Sequence, residues 1–124
     1  MKVLVIDDDQ AICDMVRAVL HVEGYEVSCA ENVEDAARLI RGEFFDVVLL
    51  DYKVGDKNGE SFLGAAAFPR GTKVILITGF LESEMVKRMF KMGICGYISK
   101  PFDATDLIRN IDYHLKKNQA EYTA

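Results

Sequence analysis

Short, unbroken apolar runs alternate with segments of helical period along this chain, and no other feature constrains its fold as tightly. Val3–Ile6, Val47–Leu50 and Val74–Ile77 contain no polar residue. A strand with one face in water alternates apolar and polar positions. A strand without polar positions is covered on both faces, as in a parallel sheet sandwiched between helices.

The intervening segments carry the other period. Ile12, Met15, Val16, Val19 and Leu20 fall at i, i+3, i+4, i+7 and i+8, one face of a helix. Gly24 follows, where helices commonly end in a left-handed residue. Glu26–Ala30 alternates, with Val27 and Cys29 on one face, and predicts an edge strand. Asn32 suits the cap of a second helix with Asp35 at its N3 position, an apolar face of Ala36, Ala37, Leu39 and Ile40, and Gly42 at its end. Phe45–Leu50 predicts a buried strand, Tyr52–Gly59 a turn-rich loop, and Glu60–Ala67 a short helix closed by Pro69 and Gly71. Lys73–Thr78 predicts a buried strand. Ser83–Met92 predicts a helix with Val86, Met89 and Phe90 inward and Gly93 at its end. Gly96–Ser99 predicts the other edge strand. Asp103 caps the last helix with Asp106 at N3, and Leu107, Ile108, Ile111 and Leu115 face inward; the polar Lys116–Ala124 is expected to fray.

Five βα units follow. The expected fold is α/β: a flavodoxin-like, doubly wound (βα)5 with a five-stranded parallel sheet of order 2-1-3-4-5. Right-handed crossovers restrict the topology, and the weak second and fifth strands suit its edges. With 124 residues there is room for one core. The net charge of −5 argues against a nucleic-acid-binding surface and reads as ordinary solubility. Cys13, Cys29 and Cys95 form no CxxC pair and are expected to be reduced core residues. No apolar run approaches a signal peptide or a membrane span, so a soluble, cytoplasmic protein is expected.

The ends of the apolar runs carry the chemistry. Val3–Ile6 runs into Asp7-Asp8, Val47–Leu50 into Asp51, Val74–Ile77 into Thr78, and Tyr97-Ile98-Ser99 into Lys100. In parallel α/β sheets, ligands bind at the carboxyl ends of strands. Asp9 suits a helix cap. Asp7 and Asp8, adjacent after a buried strand, repel each other without a counter-ion, and a hard divalent cation such as magnesium resolves that repulsion. Asp51 lies too far from the next helix to cap it, and a carboxylate there suits the nucleophile of an aspartyl-phosphate intermediate. Thr78 and Lys100 are weak signals singly; together at strand ends they suit two phosphoryl oxygens. The charges of Asp7, Asp8, Asp51, Mg2+ and Lys100 sum to zero. Lys100-Pro101 is an X-Pro bond, a type that is cis in about 5% of cases. His21 and His114 read as structural or solvated. No phosphate loop, dinucleotide turn or nucleophile elbow occurs.

The segments VLVIDDD, VVLLDYKVGDKNG, VILITGF and GYISKPF, in this order and spacing, resemble the receiver domain of bacterial two-component response regulators. The resemblance covers about Lys2 to Lys117, so that 1–117 is the expected receiver domain and 118–124 a polar tail or linker stub. It implies that Asp51 accepts a phosphoryl group from a phosphohistidine on a sensor histidine kinase or a histidine phosphotransfer protein. Asp8 and Asp51 would ligate Mg2+ directly, Asp7 largely through water, and the backbone carbonyl of Lys53 would be a further ligand. Thr78 and Lys100 would hold phosphoryl oxygens, with help from the Gly79 amide. Tyr97 stands at the switch-aromatic position, behind a threonine that moves toward the phosphoryl group. The family reading implies no enzyme beyond slow self-dephosphorylation. It implies a downstream effector protein or an output domain beyond this chain, neither nucleic-acid nor membrane binding by this domain, and allows a phosphorylation-dependent homodimer. Val54-Gly55 replaces the usual Met-Pro pair. Lys53 and Phe80 stand where family members tune phosphoryl loss, and their bulk suggests a long-lived phosphoryl group.

Three rivals remain. A phosphohydrolase with an aspartyl nucleophile shows DxDxT and a cap, whereas Asp51 is followed by Tyr52-Lys53-Val54-Gly55. A pseudo-receiver usually lacks an acid or the lysine. A flavin protein of this fold would place a phosphate loop where the acids stand.

Overall fold

Alternate residues of each inner strand face opposite layers, which is why the apolar runs are unbroken. The computed structural model describes residues 1–66 and 68–123. Its elements are β1 (Lys2–Ile6), α1 (Gln10–Val22), β2 (Glu26–Ala30), α2 (Val33–Gly42), β3 (Val47–Asp51), β4 (Lys53–Val54), β5 (Lys57–Asn58), α3 (Gly59–Ala65), β6 (Lys73–Thr78), α4 (Ser83–Lys91), β7 (Gly96–Ser99) and α5 (Ala104–Thr123). Five strands form one parallel sheet in the order β2-β1-β3-β6-β7. With the β4–β5 hairpin set aside, this is the expected 2-1-3-4-5 order of a flavodoxin-like fold.

Leu4, Ile6, Val48, Leu50, Val74 and Leu76 point to one side, where Ala36, Leu63, Met85 and Met89 of α2, α3 and α4 cover them. Val3, Val5, Val47, Leu49, Ile75 and Ile77 point to the other, against Val16 and Leu20 of α1 and Leu107 and Ile111 of α5. The edge strands β2 and β7 keep exposed positions. Local signals set the helix starts. Asp9 accepts from the Ala11 N–H at 2.9 Å, Asn32 from Asp35 at 2.8 Å, and Asp103 and Asp106 cap each other's N–H at 2.8 and 3.2 Å. Gly24 takes φ +88° directly after the turn that ends α1, as its position predicts.

Several expectations need correction. The segment 52–59, expected as a loop, contains the antiparallel hairpin β4–β5; two-residue strands carry no periodic signal. Asn58 caps α3 by accepting from the Glu60 N–H at 2.7 Å, so the helix begins at Gly59 and ends at Ala65; Ala67 lies outside the described residues. On α4 the buried residues are Met85 and Met89, while Phe90 is 43% exposed. Phe90 stands about 100° around the helix from Met89, enough to turn it off the sheet. α5 runs from Ala104 to Thr123, and Ala124 lies outside the described residues. Cys13 and Cys29 are disulfide-bonded rather than reduced, with Cα atoms 6.2 Å apart, while Cys95 is a free thiol. The cause is tertiary: after the Gly24 turn, α1 lies along β2 and its first turns face Cys29. Lys100–Pro101 is cis. Among the described residues no helix is long and apolar enough to cross a membrane.

Candidate phosphoryl and metal site

All five strands of the sheet run the same way, so their carboxyl ends share one edge. β1 delivers Asp7, β3 ends on Asp51, β6 on Thr78, and β7 leads into Lys100. The ladder continues past the strands. The Asp7 N–H donates to the Ala30 carbonyl at 3.1 Å and the Lys100 N–H to the Thr78 carbonyl at 2.9 Å. Backbone bonds therefore fix where these side chains start.

Asp7, Asp51 and Thr78 are the buried polar residues among those described, and Asp8 is exposed. Carboxylate oxygens of Asp7, Asp8 and Asp51 lie within 4.8 Å of one another. Such a set of hard oxygen donors suits Mg2+. Lys100 Nζ bridges the two buried acids, donating to Asp7 Oδ2 at 2.7 Å and to Asp51 Oδ2 at 3.1 Å. The other Asp7 oxygen accepts the Asp9 N–H at 2.9 Å. Burial pushes Asp51 up to about 6, the charge of Asp7 adds to that, and Lys100 pulls the other way. Burial alone would lower Lys100, but its contacts with Asp7 and Asp51 outweigh it and raise the amine. Three acids against a single lysine leave two negative charges uncompensated, which is an electrostatic invitation to a divalent cation.

A cleft of about 560 Å³ opens over Asp51, lined by Tyr52, Lys53, Thr78, Gly79, Phe80 and Lys100. Thr78 Oγ1 accepts the Phe80 N–H at 3.1 Å and donates to the Phe80 carbonyl at 3.4 Å, so it is engaged with its own loop. Lys53 is exposed, and Phe80 stands 61% exposed at the mouth. Tyr97 is not in this cleft. It points outward from β7, with its ring edge-on to Phe90 at 6.2 Å between centroids. His21 is exposed, and His114 lies edge-on to Tyr113.

Two features around Asp51 were not anticipated. Gly59 packs so closely beneath the segment that a Cβ there would overlap the Asp51 carbonyl oxygen, and its N–H donates to the Tyr52 carbonyl. Any side chain at 59 would push the Asp51–Tyr52 backbone out of place. Tyr52 Oη donates to Glu60, which is held in turn by Arg88 of α4. The Asn58-Gly59-Glu60 signature marks the helix start but not the contact against Asp51, so both features depend on packing.

A family model described as the response regulator receiver domain matches residues 3–112. Among solved structures, a CheY-like response regulator receiver domain protein from Methanospirillum hungatei is 35% identical, with TM-score 0.89 and 97% of each chain covered. The chemotaxis protein CheY4 of Vibrio cholerae is 27% identical, with TM-score 0.84, covering 90% of this chain and 96% of its own. A Burkholderia pseudomallei response regulator, described with a phosphorylated aspartic acid and a calcium ion, shares the fold at 24% identity and TM-score 0.84, covering 98% of this chain and 72% of its own.

Proposed function

Since the chain belongs to the response regulator receiver family, we propose that it is a phosphorylation-controlled binding module rather than a metabolic enzyme, with Asp51 as its phosphoacceptor. What supports this most is the convergence of Asp7, Asp8 and Asp51 at one sheet edge with Lys100 between two of them. Asp7, Asp8 and Asp51 would hold Mg2+, with the Lys53 carbonyl as a further ligand. Bound there, the metal supplies charge neutralisation for two anions brought together.

An ionised Asp51 oxygen attacks the phosphorus of a phosphohistidine on a sensor kinase or phosphotransfer protein. The new P–O bond forms as the P–N bond breaks, and the imidazole leaves with the electron pair and takes up a proton. Lys100 turns from the Asp7–Asp51 pair to a phosphoryl oxygen, and Thr78 leaves its Phe80 partners to donate to another. A reorientation of this kind at Thr78 would bias the outer aromatic Tyr97 and the surface around it, shifting the population that partners read. Cytoplasmic location fits a domain that takes its phosphoryl group from a sensor kinase, although a disulfide such as Cys13–Cys29 is uncommon in that compartment.

Incubation with acetyl phosphate and Mg2+, followed by intact mass, tests the assignment. A single phosphoryl addition that requires Mg2+ is expected. Wild type that takes up none would point instead to a pseudo-receiver that binds partners without phosphorylation, and turnover of generic phosphate esters would point to a phosphohydrolase.

A further inference from the structure

Tyr52 stands between Asp51 and Lys53, the two residues whose oxygens would share the metal, and its hydroxyl is tied away from them. Tyr52 Oη donates to Glu60 Oε1 at 3.1 Å and accepts from Asn58 Nδ2 at 3.5 Å. Arg88 grips the same carboxylate with two bonds, Nε to Oε2 at 2.9 Å and Nη2 to Oε1 at 3.2 Å. A forked guanidinium–carboxylate pair is directional in a way that a single lysine contact is not. Its effect is visible on Glu60, whose carboxyl the Arg88 bond holds below its ordinary range.

Arg88 lies on α4, a helix whose core seat is adaptable. Its N-cap, Glu82, makes no side-chain bond to the helix start, and the residues it buries are Met85 and Met89. Methionine side chains are unbranched and adapt to displaced neighbours. A helix seated on two methionines and the partly buried Val86, without a side-chain cap bond, depends for its position on lateral ties such as Arg88–Glu60 and the Phe90–Tyr97 contact.

We propose that the Tyr52–Glu60–Arg88 bridge is a positioning device that couples the Asp51–Lys53 segment to α4. Divalent-metal binding at the acidic cluster and the placement of α4 then bias each other, because coupling between two sites is reciprocal. The inference rests on the reading of Asp51 and Lys53 as metal ligands. None of the three bridging side chains is among the groups that would hold the metal; Glu60 and Arg88 act by holding Tyr52, and through it the backbone on either side.

The test is Mg2+ titration calorimetry on wild type, Tyr52→Phe, Arg88→Met, the double variant and Arg88→Lys, with hydrogen–deuterium exchange of the α4 amides with and without Mg2+. In wild type, Mg2+ slows exchange along Ser83–Lys91. In each single variant that response is lost and Mg2+ affinity falls by about threefold to tenfold, at or below the low end for outer-shell partners. The double variant is no weaker than the weaker single one, because both substitutions break one chain. Arg88→Lys, which keeps the charge and loses the fork, recovers part of the affinity. If wild type binds Mg2+ and both single variants match it in affinity and α4 response, the bridge is not a coupling element. Additive losses, or lower melting temperatures with an unchanged Mg2+ response, overturn the proposal equally. If wild type binds no Mg2+, the metal-site reading itself falls and takes the bridge with it.

Discussion

Lys100 and Asp7 form a 2.7 Å ion pair in which the carboxylate side chain has no solvent exposure. The lysine sits nearer to Asp7 than to Asp51, at 3.1 Å. It is therefore the counter-ion of the buried cluster as well as a candidate phosphoryl ligand. Lys100→Met leaves two buried acids facing each other without a cation. Removing one partner from a buried pair costs about 3 kcal/mol. Urea denaturation near neutral pH should show a loss of that order in metal-free buffer, and millimolar Mg2+ should recover much of it by neutralising the same acids. An unchanged midpoint would mean the cluster is already compensated by another group.

Burial, seconded by the charge of Asp7, raises Asp51 from 3.8 to about 6. A carboxyl whose folded pKa lies above its unfolded value binds more protons in the folded state between those two values. Stability therefore falls as pH rises from about 4 through about 6, and stays lower above. Asp51→Asn removes that penalty. In metal-free buffer near pH 7 it should be more stable than wild type by about 2 kcal/mol, allowing for its weakened bond to Lys100. The advantage should shrink toward pH 4. Mg2+ affinity of the wild type should weaken as pH falls through about 6, because the metal then competes with a proton. Thermal melts across this pH range, with and without Mg2+, check both statements.

Lys53 and Phe80 flank the mouth of the cleft above Asp51. A bulky ring and a long amine there would obstruct the in-line approach of water, so we expect slow loss of the phosphoryl group. Phe80→Ala should speed hydrolysis about fivefold, roughly 1 kcal/mol of barrier, with little change in the rate of phosphorylation by acetyl phosphate. Mass spectrometry of the purified phosphorylated protein over time gives the lifetime. Rapid loss in the wild type would remove the role assigned to both residues.

The Cys13–Cys29 bond closes a segment with a sequence separation of 16. Loop-closure entropy for that length corresponds to about 3 kcal/mol. Dithiothreitol should lower the melting temperature, and thiol titration of the unfolded chain should rise from one group to three. Three thiols without reductant would contradict the cross-link.

The parts of this structure readable in the sequence are those with a local or periodic cause. Val3–Ile6 and Val74–Ile77 announce two-sided burial in their composition, and Asn32 and Asp103 announce helix starts by side-chain chemistry. The strand-end acids could be grouped because parallel strands put their carboxyl ends on one edge. What escaped depends on the angle or proximity of elements already formed. Phe90 and Met85 exchange places through a modest rotation of α4. Cys13 meets Cys29 only once α1 lies on β2. The Tyr52–Glu60–Arg88 bridge spans three elements, and none of its residues carries a motif.

The phosphoryl group is expected to land on Asp51. Borohydride reduces an aspartyl phosphate to homoserine while leaving free carboxylates intact. Protein treated with acetyl phosphate and Mg2+, then reduced and digested, should yield homoserine at position 51 and at no other acid. Homoserine at Asp7 or Asp8, or a phosphoryl adduct that survives reduction on another residue type, would contradict the account.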